Sequence, residues 1–223
     1  MIITSVVSYW INGAISRSLF ADKKKFNFEI PLTSLVWITS IVSMIVTFAV
    51  TKVMLGDANG ELWWRLSTII SCGTLGAAII PELTRVFTSA HSRHVSEIVD
   101  SSREGGASLT VLSGLVAGNF SAFWKGGTMA LLMVICLWAA NSPDLINLIP
   151  MARDGMFPHL HAVFAFGLLA FGFLGMGPVT IAVDSYGPVT DNAQSVFELS
   201  QIESLPNAAA EVQKEFGFKR SEE

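Results

Sequence analysis

The sequence has 223 residues, of which 51% are hydrophobic and 14% are charged, and its formal net charge at pH 7 is −4. Soluble domains carry about a quarter charged residues, so this deficit of charge and a mean hydropathy of +0.53 are typical of a membrane protein. A nucleic-acid partner is excluded, because the net charge is small and the Lys and Arg residues are scattered or lie beside apolar segments.

The apolar segments have the length of membrane-spanning helices. A helix needs about 20 mostly apolar residues to cross a bilayer. Residues 1–15 read as the end of a helix, and the full windows are 31–55, 62–86, 107–140 and 159–200. We therefore expect an all-α, polytopic membrane helix bundle over residues 1–200, with about four full spans and a partial N-terminal helix, followed by a cytoplasmic tail.

Two of these windows are longer than a bilayer requires. A long span either tilts within the membrane or projects into water on one side. The window 107–140 leaves both possibilities open. In the window 159–200 the residues after Val183 are too polar for lipid, which favours projection.

The connecting segments predict the orientation. Basic residues concentrate in residues 16–30, 87–106 and 201–223, whereas the intervening segments carry few. Because Lys and Arg are enriched in cytoplasmic loops, these three segments are expected on the cytoplasmic side. The last window then runs from outside to inside.

Three carboxylates follow the last apolar run at a spacing of seven residues: Asp184, Asp191 and Glu198. Seven residues are close to two helical turns, about 10 Å of rise, so the three form one acidic stripe. Pro188 removes a backbone N–H in the turn that follows Asp184, and freed carbonyls beside carboxylates favour a cation. The alternative is a solvated helix end, which is the favoured interpretation for Glu198.

Further polar groups lie inside the apolar windows. Glu82 and Arg85 are three residues apart, which predicts an ion pair on one helix face; a role in an ion path is the alternative. Lys125 either faces a cavity or marks where its helix leaves the membrane. Gly114 and Gly118 form a pair of small residues that predicts close helix packing in a bundle interior.

Several motifs resemble one known family. Residues 182–198 read AVDSYGPVTDNAQSVFE, which resembles the AIDAYGPISDNAGGIAE region of the membrane-integral, ion-pumping inorganic pyrophosphatases. Residues 99–121 read VDSSREGGASLTVLSGLVAGNFS and resemble the family helix with a Ser-x-Arg-x-Gly-Ala opening. Residues 82–89, ELTRVFTS, resemble the family's TEYYTS helix end. The resemblance covers nearly the whole chain and is strongest over residues 67–200.

The resemblance implies a pump built on a larger sixteen-helix fold. Family members hydrolyse pyrophosphate in a cytoplasmic funnel and couple this reaction to the movement of H⁺ or Na⁺. They are homodimers with two concentric rings of helices, and a bacterial plasma membrane is the expected location. By resemblance, the windows 107–140 and 159–200 belong to the inner ring and the earlier two windows to the outer ring.

The resemblance also implies roles for particular residues. Asp191 falls on an aspartate that helps to bind the magnesium–pyrophosphate complex, and Asp184 falls on a second aspartate below the substrate. Asn192, Glu198 and Arg103 match motif positions without an assigned role. Mg²⁺ is the implied cofactor, whereas K⁺ dependence and the choice between H⁺ and Na⁺ stay open.

The sequence departs from the family pattern in two respects. The family's acid-rich segments are absent, so we expect an internal portion of a pump, inactive by itself as a diphosphatase. Arg85 stands where the family pattern places Glu, which bears on the transported ion. Two alternatives stay open: a non-enzymatic cation channel or secondary-transporter subunit that uses the acidic stripe, and a gene remnant without function.

Overall fold

The computed structural model describes residues 2–20, 29–56, 60–89 and 92–203, and every regular element in these ranges is a helix. In chain order the helices are α1 (Ile2–Phe20), α2 (Glu29–Leu55), α3 (Leu62–Thr88), α4 (Arg93–Ala140), α5 (Pro143–Leu148), α6 (Pro150–Arg153), α7 (Leu160–Gly175) and α8 (Gly177–Glu203). The all-α prediction is confirmed. The lysines of the first loop and residues 204–223 of the tail lie outside the described ranges.

Three stretches of the described chain are long and apolar enough to cross a membrane: Pro31–Leu55, Leu62–Ala140 and Leu160–Ser200. The second stretch contains both α3 and α4, so these stretches include all four windows expected from the sequence. Two boundaries differ from expectation, because α1 continues to Phe20 and α4 begins at Arg93 rather than at Ala107. An all-α membrane bundle is therefore the architecture of this chain.

The window 159–200 was expected to form one helix, and this prediction was wrong. α7 ends at Gly175, and α8 begins at Gly177 after a turn at Met176. Pro178 accounts for the break, because its nitrogen carries no proton for the carbonyl of Leu174 and its ring crowds that carbonyl.

The chain divides into two compact units, Met1–Val179 and Thr180–Glu223. In the first unit α3 is the central helix, since α2, α4 and α7 all pack against it, and α1 packs against α2. Within the described part of the second unit, the structure is the continuation of α8 to Glu203.

The contact between α1 and α2 is polar. The buried polar side chains along these helices are Thr4, Ser8 and Asn12 on α1, and Thr39, Ser40 and Ser43 on α2. The Oγ of Ser43 donates to Oγ1 of Thr4 at 3.3 Å, and Nδ2 of Asn12 donates to the carbonyl of Pro31 at 3.1 Å. The outward side of α1 is apolar and exposed, as at Trp10. Short polar side chains that hydrogen-bond across a helix pair are a common means of association in lipid.

The contact between α3 and α7 brings two backbones together. A methyl group on Gly73 would lie 1.9 Å from the carbonyl oxygen of Leu169, and one on Gly172 would lie 2.1 Å from the carbonyl oxygen of Ile70. Thr74 donates from Oγ1 to the carbonyl of Gly172 at 3.3 Å. Only glycine fits at either position, because any Cβ would overlap the facing backbone.

A small apolar core lies beside this contact, where α3, α4, α5 and α7 meet. Its fully buried members are Leu62, Ile69, Cys136, Ala139, Ala140, Leu145 and Ala165. Most of these side chains are small or medium in size, which allows the four helices to approach closely.

The helix α4 reverses direction near its start. Gly105 (φ −132°, ψ 16°) and Gly106 (φ 58°, ψ −147°) are not helical, and the backbone angles of Gly106 lie in a region essentially restricted to glycine. The rings of His94 and Phe120 are 6.3 Å apart, whereas a continuous helix would separate these residues by about 39 Å. Residues 93–104, called the arm below, therefore fold back along α4.

The expected close packing at Gly114 and Gly118 is not found among the described residues. Both glycines are exposed, and a methyl group at either would meet no atom within 4 Å. The prediction that they lie in a bundle interior stays a prediction about a larger assembly.

We predict that Gly73→Ala destabilises the protein, because the new methyl group overlaps the backbone of α7. Overpacking of this kind costs about 1–3 kcal/mol or more. The midpoint of thermal unfolding of the purified protein in detergent measures the effect. Gly167→Ala is the control, since a methyl group there meets no atom within 4 Å and alanine favours the helix by about 1 kcal/mol. Equal midpoints for the two variants would contradict the backbone contact.

We also predict that Gly106→Ala destabilises the reversal of α4 by about 1–3 kcal/mol, the usual cost of holding a residue in a disfavoured backbone region. The added methyl group itself meets no atom within 4 Å, so the loss reports backbone strain alone. Gly114→Ala, within regular helix, is the matched control and should match or exceed the stability of the parent protein in the same thermal assay. A Gly106→Ala protein as stable as this control would show that the reversal is absent.

Candidate functional site

The acidic stripe lies on α8, in the second unit of the chain. Asp184, Asp191 and Glu198 are all exposed, and the helix is continuous through them from Gly177 to Glu203. Nε2 of Gln194 donates to Oε1 of Glu198 at 2.8 Å, one turn apart on the same helix. The stripe therefore has the helical geometry that the spacing of seven residues predicts.

Pro188 lies inside α8 without ending it. Its nitrogen has no proton to donate to the carbonyl of Asp184, four residues earlier. That carbonyl oxygen is available as an acceptor on the helix surface, beside the exposed carboxylate of Asp184. Asn192, next to Asp191, is also exposed and adds an amide that can both donate and accept.

The described residues do not form a metal cage. Within the described ranges, no group of three or more His, Cys, Asp or Glu side chains lies close enough to hold a metal ion. Successive carboxylates of the stripe are about 10 Å apart along the helix axis, so two of them cannot bind one ion. Mg²⁺ commonly takes one or two carboxylates and completes its shell with water and substrate phosphate oxygens, and one exposed aspartate fits that pattern.

The pair Glu82–Arg85 forms as expected. Nη2 of Arg85 lies 2.8 Å from Oε2 of Glu82, and Nη1 donates to Oγ1 of Thr33 on α2 at 2.8 Å. The ion pair could be predicted from sequence spacing, because its two residues lie within one turn of the same helix. The contact with Thr33 was not predicted, since it joins two helices that are distant in sequence.

The arm carries the last of the candidate residues, Arg103, two residues before the reversal at Gly105. Its side chain is exposed. The arm begins with Ser92 as N-cap, whose side chain accepts from the backbone N–H of His94 at 3.2 Å. His94 stacks on Phe87 at a ring separation of 4.5 Å, which ties the arm to the end of α3. Sequence reasoning missed this stack, because a spacing of seven residues across the end of a helix carries no signal for it.

The candidate residues therefore fall into separate groups. Glu82 and Arg85 are in contact near the end of α3, and Arg103 lies on the arm. Asp184, Asp191, Asn192 and Glu198 share α8 in the second unit. Chemically, the α8 group offers carboxylate oxygens to a cation, whereas the Glu82–Arg85 pair is internally neutralised.

A family model described as inorganic H⁺ pyrophosphatase matches residues 1–217. A K⁺-insensitive pyrophosphate-energized proton pump of Chlorobaculum tepidum is 50% identical over 98% of this chain and 28% of its own length. A protein of the same name from Chloroflexus aurantiacus is 27% identical over 82% of this chain and 22% of its own length.

A further relative, from Clostridium tetani, has the provisional name of a K⁺-stimulated pyrophosphate-energized sodium pump. It is 29% identical over 64% of this chain and 19% of its own length. The chain thus spans about a quarter of the length of the curated relatives that it matches. No solved structure matches the chain.

Proposed function

Because the chain belongs to the inorganic H⁺ pyrophosphatase family, we propose that it forms part of a pyrophosphate-energised ion pump, a membrane diphosphatase that couples hydrolysis of pyrophosphate to ion translocation. The observation that carries this proposal is the 50% identity to a pyrophosphate-energized proton pump over 98% of the chain. The GPVTDNA stretch of α8, with its exposed carboxylates, is the local feature that agrees with it.

The proposed role of Asp191 is to bind the magnesium–pyrophosphate complex. Pyrophosphate is highly charged, and Mg²⁺ neutralises part of this charge and positions the phosphate oxygens for attack by water. The carboxylate of Asp191 supplies one hard oxygen ligand. Asp184, two turns earlier, lies too far along α8 to share the same ion, so its proposed role is a second contact with substrate, water or the transported cation.

The proposed orientation places the arm and the first loop in the cytoplasm. The hydrogen bond from Arg85 to Thr33, 2.8 Å long, supports this arrangement because it puts the start of α2 and the end of α3 at one end of the first unit. The two basic segments that flank these ends, 16–30 and 87–106, then face the same side, as the distribution of basic residues requires.

We propose H⁺ as the transported ion. The 50% identical relative is named as a K⁺-insensitive proton pump, which supports H⁺ and independence from K⁺ over the sodium alternative. The homodimer and the bacterial plasma-membrane location that the resemblance implies belong to the same proposal. A channel or secondary transporter is the weaker candidate, because the names of these relatives all refer to pyrophosphate.

We predict that Asp191→Asn in the complete gene product lowers Mg²⁺-dependent phosphate release from pyrophosphate by about 10²–10³-fold, the loss expected when one preorganised electrostatic contact is removed. Asparagine keeps the size of the side chain and removes the charge. Phosphate release from membrane vesicles, measured against Mg²⁺ concentration, tests this.

Glu198→Gln is the matched control, because it neutralises another carboxylate of the same exposed stripe. This variant should hydrolyse pyrophosphate at close to the parent rate. Normal activity of Asp191→Asn would refute the role of Asp191 alone, whereas vesicles of the parent protein that release no phosphate would refute the pump itself.

A further inference from the structure

Aromatic side chains gather at two levels of the α3–α4 pair. At one end Trp63, Trp64 and Trp138 form what we call the Trp girdle, in which the rings of Trp64 and Trp138 are 6.0 Å apart. At the other end Phe87, Phe120, Phe123 and Trp124 form the Phe girdle, in which the rings of Phe87 and Phe120 are 5.9 Å apart and those of Phe120 and Trp124 are 6.3 Å apart.

The separation of the two girdles matches the thickness of a bilayer. The helical rise of about 1.5 Å per residue places Trp64 about 35 Å from Phe87 along α3, and Phe120 about 27 Å from Trp138 along α4. The hydrocarbon core of a typical bilayer is about 30 Å thick. Trp and Tyr are enriched at both of its interfaces, and each girdle contains at least one Trp.

Charged side chains lie close to these two levels. At the Trp girdle, Nζ of Lys52 is 5.6 Å from the ring centre of Trp63, and the guanidinium carbon of Arg65 is 4.7 Å from that of Trp64. Lys125 lies about 8 Å from Phe120 along α4, within reach of the interface for a long side chain that extends toward water. The Glu82–Arg85 pair lies just inside Phe87 on α3.

The arm lies beyond the Phe girdle and packs along one face of α4 near its start. It carries five charged side chains that are costly to place in hydrocarbon: Arg93, Glu97, Asp100, Arg103 and Glu104. Together with residues 109–120 of α4 it lines an open cavity of about 410 Å³. The polar residues of its lining are His94, Glu97, Ser101 and Ser113, and the rest of the lining is apolar. The charges of the arm oppose a lipid environment at this level of α4, although α4 itself exposes apolar side chains there, including Val111 and Leu115.

We propose that the bilayer contacts α3 and α4 between the two girdles, so that residues 107–119 of α4, the arm and the cavity between them stand in water. The sequence alone did not decide whether residues 107–140 tilt within the membrane or project into water. On this proposal they form a helix that projects into water at one end. Its spanning part runs from Phe120 to Trp138, and Lys125 marks the approach to the interface. This inference does not rest on the proposed function, because it uses none of the residues of α8.

Two alanines on α4 separate this proposal from a tilted span. Ala122 and Ala130 are both exposed and differ in height by about 12 Å along the helix. If residues 107–140 all crossed the membrane, Ala122 would lie near the bilayer centre. If the bilayer instead lies between the two girdles, Ala122 lies near the membrane interface at the Phe girdle, and Ala130 lies near the centre of the bilayer.

The experiment labels Ala122→Cys and Ala130→Cys with bimane in reconstituted protein and compares quenching by phosphatidylcholine brominated at shallow or at deep acyl carbons. Cys72 and Cys136 are buried, and the unsubstituted protein measures any background labelling. We expect the ratio of shallow to deep quenching to be at least about twofold higher at position 122 than at position 130.

A ratio at position 122 equal to or below that at position 130 would overturn the proposal. Protein contacts that shield the label equally from shallow and from deep bromine atoms do not change the ratio of the two quenching values. Phe123→Cys and Leu131→Cys, which are again exposed and eight residues apart, form a second pair. The same ranking of ratios in this pair supports the proposal, and the reverse ranking overturns it.

Discussion

The backbone contact between α3 and α7 is the constraint on which the arrangement of the first unit depends. In lipid, apolar side chains gain little by burial against one another, because acyl chains are equally apolar, so close packing and hydrogen bonds hold helices together. Gly73 and Gly172 allow the two backbones to touch, and Thr74 adds a hydrogen bond to the carbonyl of Gly172. Since α2 and α4 also pack on α3, this contact positions the helix that the others surround.

The same physics explains why many small polar residues are buried in the bundle while many large apolar residues are exposed. Ser8, Ser40 and Ser67 are fully buried, while Trp10 and Val53 are among the most exposed side chains. A soluble protein with this distribution would expose an aggregation-prone surface. In a membrane the exposed side chains face acyl chains, and a buried hydroxyl can bond to a carbonyl of its own helix, as Ser67 does to Trp63 at 2.7 Å.

The helices and the ion pair could be predicted from sequence because their determinants are local. An apolar run of spanning length has one stable form in lipid, the helix, and Glu82 and Arg85 meet because they are one turn apart. The contact of Gly73 with α7 depends on a partner distant in sequence and was not predicted, whereas the local pair Gly114–Gly118, expected to pack closely, is exposed. The reversal at Gly106 requires a positive φ. Two consecutive glycines can adopt such a conformation, but they occur in helices as well, so their presence does not predict a reversal. The break before Pro178 was signalled by that proline and its flanking glycines, yet the apolar pattern continues across it and obscures the boundary.

The surroundings of Asp191 could not be derived from this chain, and helix geometry explains why. Oxygen ligands of Mg²⁺ lie about 2.1 Å from the ion, whereas carboxylates seven residues apart on a helix are about 10 Å apart. An acidic stripe on one straight helix therefore offers at most one carboxylate to each ion, however many acidic residues it carries. The remaining ligands of an ion bound to Asp191 have to come from substrate, from water, or from other helices brought alongside α8. The chemistry proposed for α8 therefore requires an assembly of helices and cannot belong to this helix alone.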